Sequence, residues 1–476
     1  MTMNTIPNLI DGRWVDGEHS IPVTDKYTLE VSAQLQCASR AQVAQAVAAA
    51  QDSFRARRLG ASERAELLER AAVLLEQRGA ELVQAMQREA GFPEADAQGE
   101  LRRCLQTFKL AAQEGLRLTG EVIPIASAPG QEGRIGFTRR VPLGVVCAIT
   151  PFNSPLNTVA HKVAPALAAG NTVVLKPSPH VPTPANMMAQ ALLDAGLPAG
   201  HIAVVHGGAE VVDALLQEQT VRFYAFTGST EVGKAILSKT GLRRTQMELG
   251  SIAFTLLDAD IDSRRVLPKV VNAAYRKAGQ VCTSIQVLLV HESIADAVSG
   301  ELAARVAALP HGDPRDPRTV VGPMISETAA ARLQARIEAA LDAGARRLAG
   351  GARERAVLAP TLLADVPERA EVRCSEMFGP VMSILPFASV EQACAMVNST
   401  PYGLASGYFT NDLDHVFEAM ERLDVGGLHI NETSSSRVDL MPYGGVKDSG
   451  FGHEGPRYAV MEMTEERLVT MRSSRN

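Results

Sequence analysis

The sequence predicts an α/β protein with two parallel-sheet units, on three observations. Short apolar runs at 145–149, 172–175, 202–205 and 221–226 recur with helix-length segments between them, the spacing of strand–helix–strand crossovers. The runs are apolar at every position and do not alternate, as expected where helices cover both faces of a sheet. The same rhythm restarts after Gly250, with a strand at 254–257, a helix from 262 to about 277, a strand at 285–290 and a helix over 293–309. Further strand-like runs follow at 382–385 and 427–430. With 476 residues, a prior of roughly 150 per domain leaves room for about three units.

The remaining elements follow in order. From Ser39 onward Val43, Val47 and Phe54, then Leu67, Leu68, Ala71, Leu74 and Leu75, recur at helical spacing with polar residues between them, giving a helical N-terminal layer. Gly170 and Gly196 follow two helical segments of the parallel series, where a left-handed residue ends a helix. Residues 120–140 hold Gly130 and Gly133 amid Ser, Pro and Gln, with strand-compatible residues on either side, and read as a hairpin arm. The segment 465–471 reads as a partner strand, including one given to another subunit.

Composition excludes several classes. Hydrophobic residues at 46% and charged residues at 21% match an ordered globular chain. A formal net charge of −6 supplies no global basic field, so nucleic acid is not the expected partner. The start lacks the layout of a secretory signal. Apolar stretches such as 145–149 and 164–169 stop far short of the roughly 20 residues that cross a bilayer. A cytoplasmic location without membrane contact is therefore expected. The six cysteines at 37, 104, 147, 282, 374 and 394 form no CxxC pair, which fits reduced thiols. The ten histidines include no HExxH, and no metal is expected.

Four short motifs carry chemistry. Residues 226–235 (FTGSTEVGKA) follow a strand and open a helix, whose N-terminal N–H groups attract an anion. They nearly match a phosphate-binding GxxxxGK[ST] loop, but Ala235 replaces the magnesium-binding hydroxyl, which argues against a nucleotide hydrolase. Read alone, the segment is better taken as a helix capped by Ser229 or Thr230. Cys282 follows Gly279 and precedes a strand, a place from which a thiol reaches a cleft, although a free Cys is usually a small buried hydrophobe. Glu248 stands in an apolar stretch between the two α/β series, where desolvation would make it a usable base. Asn153 ends the first parallel strand, where ligands bind in open α/β sheets.

In this order and spacing the motifs resemble the aldehyde dehydrogenase superfamily over nearly the whole chain. The resemblance rests on TPFN at 150–153, LKPS at 175–178, FTGSTEVG at 226–233, MELG at 247–250 and GQVC at 279–282. It continues through EMFGPV at 376–381, PYGL at 401–404 and PYGGVKDSGFGHEGPRYAV at 442–460. It implies a Rossmann-like cofactor domain over 1–119 and 141–250, a catalytic α/β domain over 251–445, and a β-hairpin oligomerisation arm over 120–140 and 460–476. A homodimer or homotetramer is implied with it.

The resemblance also implies roles. Cys282 is the expected nucleophile, forming a thiohemiacetal with the aldehyde. The Asn153 amide and the Cys282 backbone N–H are the expected oxyanion donors. Hydride then passes to the nicotinamide, and Glu248 activates the water that hydrolyses the thioester to a carboxylic acid. NAD or NADP is the expected cofactor. Gly228, Ser229 and Gly233 match the pyrophosphate turn, Lys176 the adenosine-ribose contact, and Glu376 with Phe378 the nicotinamide-ribose contacts; Leu249 belongs to the same set. Two residues depart from the common pattern. Pro179 stands where many NAD-preferring relatives carry a ribose-binding Glu, which removes repulsion of a 2′-phosphate. Ser251 stands where most relatives have a second Gly after the base.

For substrate, Arg276 matches an anion-binding Arg of succinate semialdehyde relatives, whereas His161 occupies the position of a second Arg. The wording also resembles lactaldehyde dehydrogenases. A small, anionic or hydroxylated aldehyde is expected, while Arg102, Arg103 and Arg437 read as solvated surface residues. A catalytically silent relative serving as a binding or structural protein is the rival reading; it requires a broken site, and Asn153, Glu248 and Cys282 are all present.

Overall fold

The computed structural model describes residues 4–473. The four apolar runs form the strands Val145–Ile149, Thr172–Lys176, Ile202–Val204 and Val221–Thr227. They lie in one eight-stranded sheet that also takes in Asn8–Ile10, Arg13–Val15, Arg244–Glu248 and Gly450–Phe451. The five central strands are parallel, and antiparallel strands close both edges. Alternate residues serve two cores. Val146, Ala148, Val173 and Leu175 pack with the helices Ala61–Gln77, Asn157–Ala168 and Thr183–Asp194. Val145, Cys147, Ile149 and Val174 pack with Arg40–Ala56 and Ala209–Gln217 on the other face. Unbroken apolar runs are the sequence signature of this double covering.

A second sheet of seven strands takes in Ala253–Leu257, Ile285–His291, Val381–Phe387 and Gly427–Ile430, the positions expected from sequence, together with Arg346–Ala349, Thr361–Ala364 and Ala405–Phe409. All neighbours in it are parallel except Arg346–Ala349, which runs antiparallel on Thr361–Ala364. A small three-stranded sheet of Thr5–Ile6, His19–Thr24 and Val31–Cys37 precedes the helical layer and was not read from sequence. Its longest strand alternates a buried face of Ala33, Leu35 and Cys37 with half-buried Ser32, Gln34 and Gln36, too short an apolar signal to stand out. Ser39 then caps Arg40–Ala56 in a reciprocal capping box with Gln42.

The arm holds Arg134–Pro142 with the short Val122–Ile123 on one side. On the other side the C-terminal strand Thr464–Arg472 pairs along its whole length, within the same chain. Residues 474–476 of the expected arm lie outside the described residues. Val122, Ile135, Leu468 and Met471 are exposed on it. Among the described residues, no helix is long and apolar enough to cross a membrane.

One turn between helix Ser263–Tyr275 and strand Ile285–His291 positions the rest. Lys277, Ala278 and Gly279 follow one another with φ of 52°, 53° and 66°. Left-handed non-Gly residues are strained and persist only where their surroundings hold them. Asp96 accepts the Lys277 backbone N–H at 2.9 Å, and the Lys277 ammonium reaches the Asn153 carbonyl at 3.1 Å and Glu100 at 3.3 Å. A Cβ on Gly279 would overlap the Gly379 carbonyl. Gly279→Ala is therefore expected to destabilise the fold by about 2 kcal/mol or more and to cut activity. Denaturant unfolding monitored beside turnover checks this, and an unchanged midpoint would show that the turn yields.

Candidate active site

A cleft of about 600 Å³ opens at the C-terminal ends of the parallel strands, facing the 276–283 turn, the usual ligand position in open α/β sheets. Asn153, Lys176, Gly228, Ser229, Glu248, Leu249, Arg276, Cys282, Glu376 and Phe378 all line it. Gly233 sits behind the wall, where a Cβ would overlap the Leu249 side chain.

At the reactive end, the Cys282 Sγ lies 2.7 Å from the Tyr443 hydroxyl. Burial pushes the Cys282 thiol up to about 11, with Glu248 and Glu376 adding to the rise, while the Tyr443 hydrogen bond and Arg437 work against it. Glu248 is 3% exposed, and among the described residues neither carboxylate oxygen has a hydrogen-bond partner. Burial first, and then the neighbouring Glu454, push its carboxyl well above the usual range. A buried carboxyl left without donors has its bonding capacity free for water or substrate.

Glu454 behaves in the opposite way. Burial alone would raise it, but Lys162 and Arg437 hold it well below the usual carboxylate range. It accepts from Lys162 Nζ at 3.0 Å, Arg437 Nη2 at 2.9 Å and Thr227 Oγ1 at 3.2 Å. The Arg437 guanidinium also lies 3.7 Å from the centre of the Tyr443 ring. Sequence reading assigned no role to Lys162, Tyr443 or Glu454 and took Arg437 for a surface residue; its side chain is 14% exposed. Tyr443 and Glu454 stood inside the 442–460 motif, where an aromatic and an acid in a glycine-rich stretch were the available signal. Lys162 and Glu454 are 292 residues apart, so their pairing had no local trace.

Two expectations for the substrate wall change. His161, expected at the substrate, is fully buried and does not line the cleft. Its Nε2 is 2.8 Å from Asp439 Oδ1, an atom that also accepts from Arg103 Nη2 at 2.7 Å and Asn157 Nδ2 at 3.2 Å. Burial, then Arg437, lower the His161 pKa, which favours the neutral ring. Arg103, expected at the surface, lines the cleft and is tied to Asp439. Arg276 lines the cleft too, donating to Ser435 Oγ at 2.9 Å. Among the described residues it makes no ion pair within 4.0 Å.

The other end of the cleft presents a helix N-terminus and two buried ionisable groups. Ser229 caps helix Thr230–Thr240, whose N-terminus faces the cleft, and a Cβ on Gly228 would press on the Phe226 ring. Burial lowers the Lys176 ammonium to about 8. Glu376 accepts the Ser251 N–H at 2.9 Å and is pushed up to about 7 by burial. Phe378, at φ 49°, packs edge-on against Phe152 at 5.8 Å. Lys234 pairs with Asp448 at 2.6 Å on the surface. No group of three or more His, Cys, Asp or Glu able to hold a metal occurs among the described residues.

A fold of two parallel sheets with a thiol, a carboxyl unpartnered among the described residues and a helix N-terminus around one cleft fits an oxidoreductase. Comparison with known proteins agrees. The aldehyde dehydrogenase family model matches residues 14–469. A 3-sulfolactaldehyde dehydrogenase of Priestia aryabhattai is 41% identical over 463 residues, 97% of each chain. An aldehyde dehydrogenase of Physcomitrella patens, solved with its reaction product succinate, superposes with a TM-score of 0.96 at 36% identity over 99% of each chain. An NADP-dependent glyceraldehyde-3-phosphate dehydrogenase of Bacillus halodurans, solved with NADP, gives 0.95 at 33% identity over 99% of this chain and 100% of that one. The chain belongs to the aldehyde dehydrogenase family, an NAD(P)-dependent class of enzymes, and its cofactor is NAD or NADP.

The buried cluster yields a stability prediction. Lys162→Met leaves Glu454 with Arg437 as its only cation, and losing one partner of a buried pair costs about 3 kcal/mol or more. Chemical denaturation is expected to show that loss, and a drop below about 1 kcal/mol would mean that Arg437 and Thr227 suffice.

Proposed function

We propose that the enzyme oxidises a small anionic aldehyde to its carboxylic acid through Cys282. The observation that carries this reading is a single cleft holding Cys282, Asn153 and Glu248 beside the Arg276 guanidinium, which lacks a carboxylate partner. The Cys282 thiolate attacks the carbonyl carbon. The Asn153 amide and the Cys282 N–H receive the oxyanion, each such donor typically lowering the barrier by about 3 kcal/mol. The bound dinucleotide supplies a hydride acceptor. Glu248, in its ionised form, takes a proton from the water that opens the thioester. Its raised pKa brings that ionisation closer to neutrality, where a general base works best.

For the dinucleotide, we assign Gly228, Ser229 and the helix N-terminus to the pyrophosphate, with Gly233 leaving Leu249 room to back the wall. Lys176 faces the adenosine ribose, and Glu376 with Phe378 the nicotinamide ribose. Pro179 offers no carboxylate against a 2′-phosphate, so NADP is accepted as well as NAD. The apolar residues exposed on the arm support self-association through it.

The anionic assignment draws on Arg276 and on the relatives. 3-Sulfolactaldehyde, succinate and glyceraldehyde 3-phosphate, named for three similar proteins, each carry an anionic group. The test is reduced-cofactor absorbance with NAD and NADP, across sulfolactaldehyde, succinate semialdehyde, glyceraldehyde 3-phosphate and uncharged lactaldehyde. A higher kcat/KM for one of the anions is expected, and equal values throughout would overturn the assignment. Arg276→Met should raise KM for the preferred anion about tenfold or more, through loss of a charge-assisted hydrogen bond, and leave lactaldehyde nearly unaffected.

Glu248→Gln should still give a first burst of reduced cofactor, followed by a stalled steady state. In the native enzyme the deacylation rate should rise with pH as Glu248 ionises, and the variant should lack that rise. Stopped-flow absorbance across pH separates the two phases; a full steady-state rate in the variant would assign the base elsewhere.

A further inference from the structure

We infer that Tyr443 is a further catalytic residue, its hydroxyl donating a hydrogen bond to the Cys282 sulfur so that the nucleophile is held, and stabilised, as the thiolate. The inference rests on the reading of Cys282 as nucleophile. The two atoms are 2.7 Å apart in a half-buried part of the cleft. Either atom is able to donate while the sulfur is protonated, but once it is a thiolate only the phenol has a proton to give. The phenol keeps its proton: burial, then the facing Cys282, push Tyr443 well above its ordinary value. Hydrogen bonding to a charged form favours that form, and the gain is larger out of water.

The ring is fixed for this task. Arg437 stacks 3.7 Å from its centroid and is anchored by Glu454 at 2.9 Å. A cation over the face draws electron density from the ring and makes the phenol a stronger donor. The Tyr443 backbone N–H donates to the Glu454 carbonyl at 3.0 Å, and the Glu454 N–H returns a bond to the Tyr443 carbonyl at 2.7 Å. Phe in place of Tyr would keep the ring and this backbone bridge and remove only the donor. Without that donor, Cys282 keeps only Arg437 among the groups that favour its ionisation, against burial, Glu248 and Glu376, which oppose it.

The test is the pH profile of Cys282 alkylation by iodoacetamide, followed on the Cys282 peptide by mass spectrometry so that exposed Cys374 does not interfere. Native protein, Tyr443→Phe and Cys282→Ala are compared together with the pre-steady-state burst. In Tyr443→Phe the alkylation profile should move up by about one pH unit and the burst rate fall about tenfold, with cofactor affinity retained. A profile and burst both unchanged would overturn the role. A slower burst with an unmoved profile would also overturn it, since a merely structural change slows the burst without shifting the thiol. Turnover retained in Cys282→Ala would instead bring down the underlying reading of the nucleophile. If Tyr443→Phe fails to bind cofactor, native protein with 3-fluorotyrosine replacing tyrosine supplies a more acidic phenol. Its Cys282 profile should move down, and no movement would overturn the proposal.

Discussion

Glu454 stays ionised in the interior only because Lys162 and Arg437 reach it from two different elements, and the reactive end of the cleft depends on that triad. Taking charges out of water costs several kcal/mol per ion unless partners and hydrogen bonds replace the solvent. Here the Lys162 side chain is wholly buried, on helix Asn157–Ala168 of the first sheet, while Arg437 comes from the loop that follows the second sheet. Glu454 therefore ties the last loop of the chain to a helix some three hundred residues earlier. Through Arg437 the triad fixes the face of Tyr443, and Tyr443 meets the sulfur of Cys282.

The triad also separates two carboxyls that would otherwise behave alike. Glu248 and Glu454 are both buried, yet one receives three donors and the other none. Environment alone drives their pKa values in opposite directions, the pattern by which active sites divide acid and base roles. The two sites interact, so each titrates in the field of the other. Two cations against one fixed anion leave the cluster with a single positive charge while Glu248 is protonated. Ionising Glu248 cancels that charge, so Lys162 and Arg437 oppose part of the rise that burial imposes on it.

Much of this architecture was legible in the sequence. The unbroken apolar runs at 145–149 and 221–226 found their strands because double coverage by helices leaves no polar face to confuse the pattern. Val31–Cys37 escaped because its polar face is Ser and Gln on a half-buried surface. The site residues divide in the same way. Cys282, Glu248 and Asn153 sit in compact motifs whose local turns bring them to the cleft, and all three line it. Lys162 and Arg437 matter through partners that only the folded chain brings close, and His161 shows the converse error. Its correspondence to a second substrate-binding Arg of relatives placed it at the aldehyde, but the neutral ring finds its partner in Asp439, one layer behind.

That displacement changes how the substrate wall works. Arg103 reaches the cleft with Asp439 attached to it, and Asp439 is held well below the ordinary carboxylate range, against its own burial, by His161 and Arg103. Its negative charge is thus permanent and partly cancels the guanidinium it holds. Arg276 makes no ion pair within 4.0 Å among the described residues; burial, its largest influence, disfavours its charge, and Asp96 and Glu100 offset part of that from a distance. A half-buried guanidinium without a direct carboxylate partner gains from a ligand that brings one. On the proposed function, Arg103 orients, Arg276 attracts, and discrimination between anionic and neutral aldehydes falls mainly on one side chain. The neutral His161 keeps it so, since a third guanidinium in its place would compete for Asp439 and release Arg103 to share the anion.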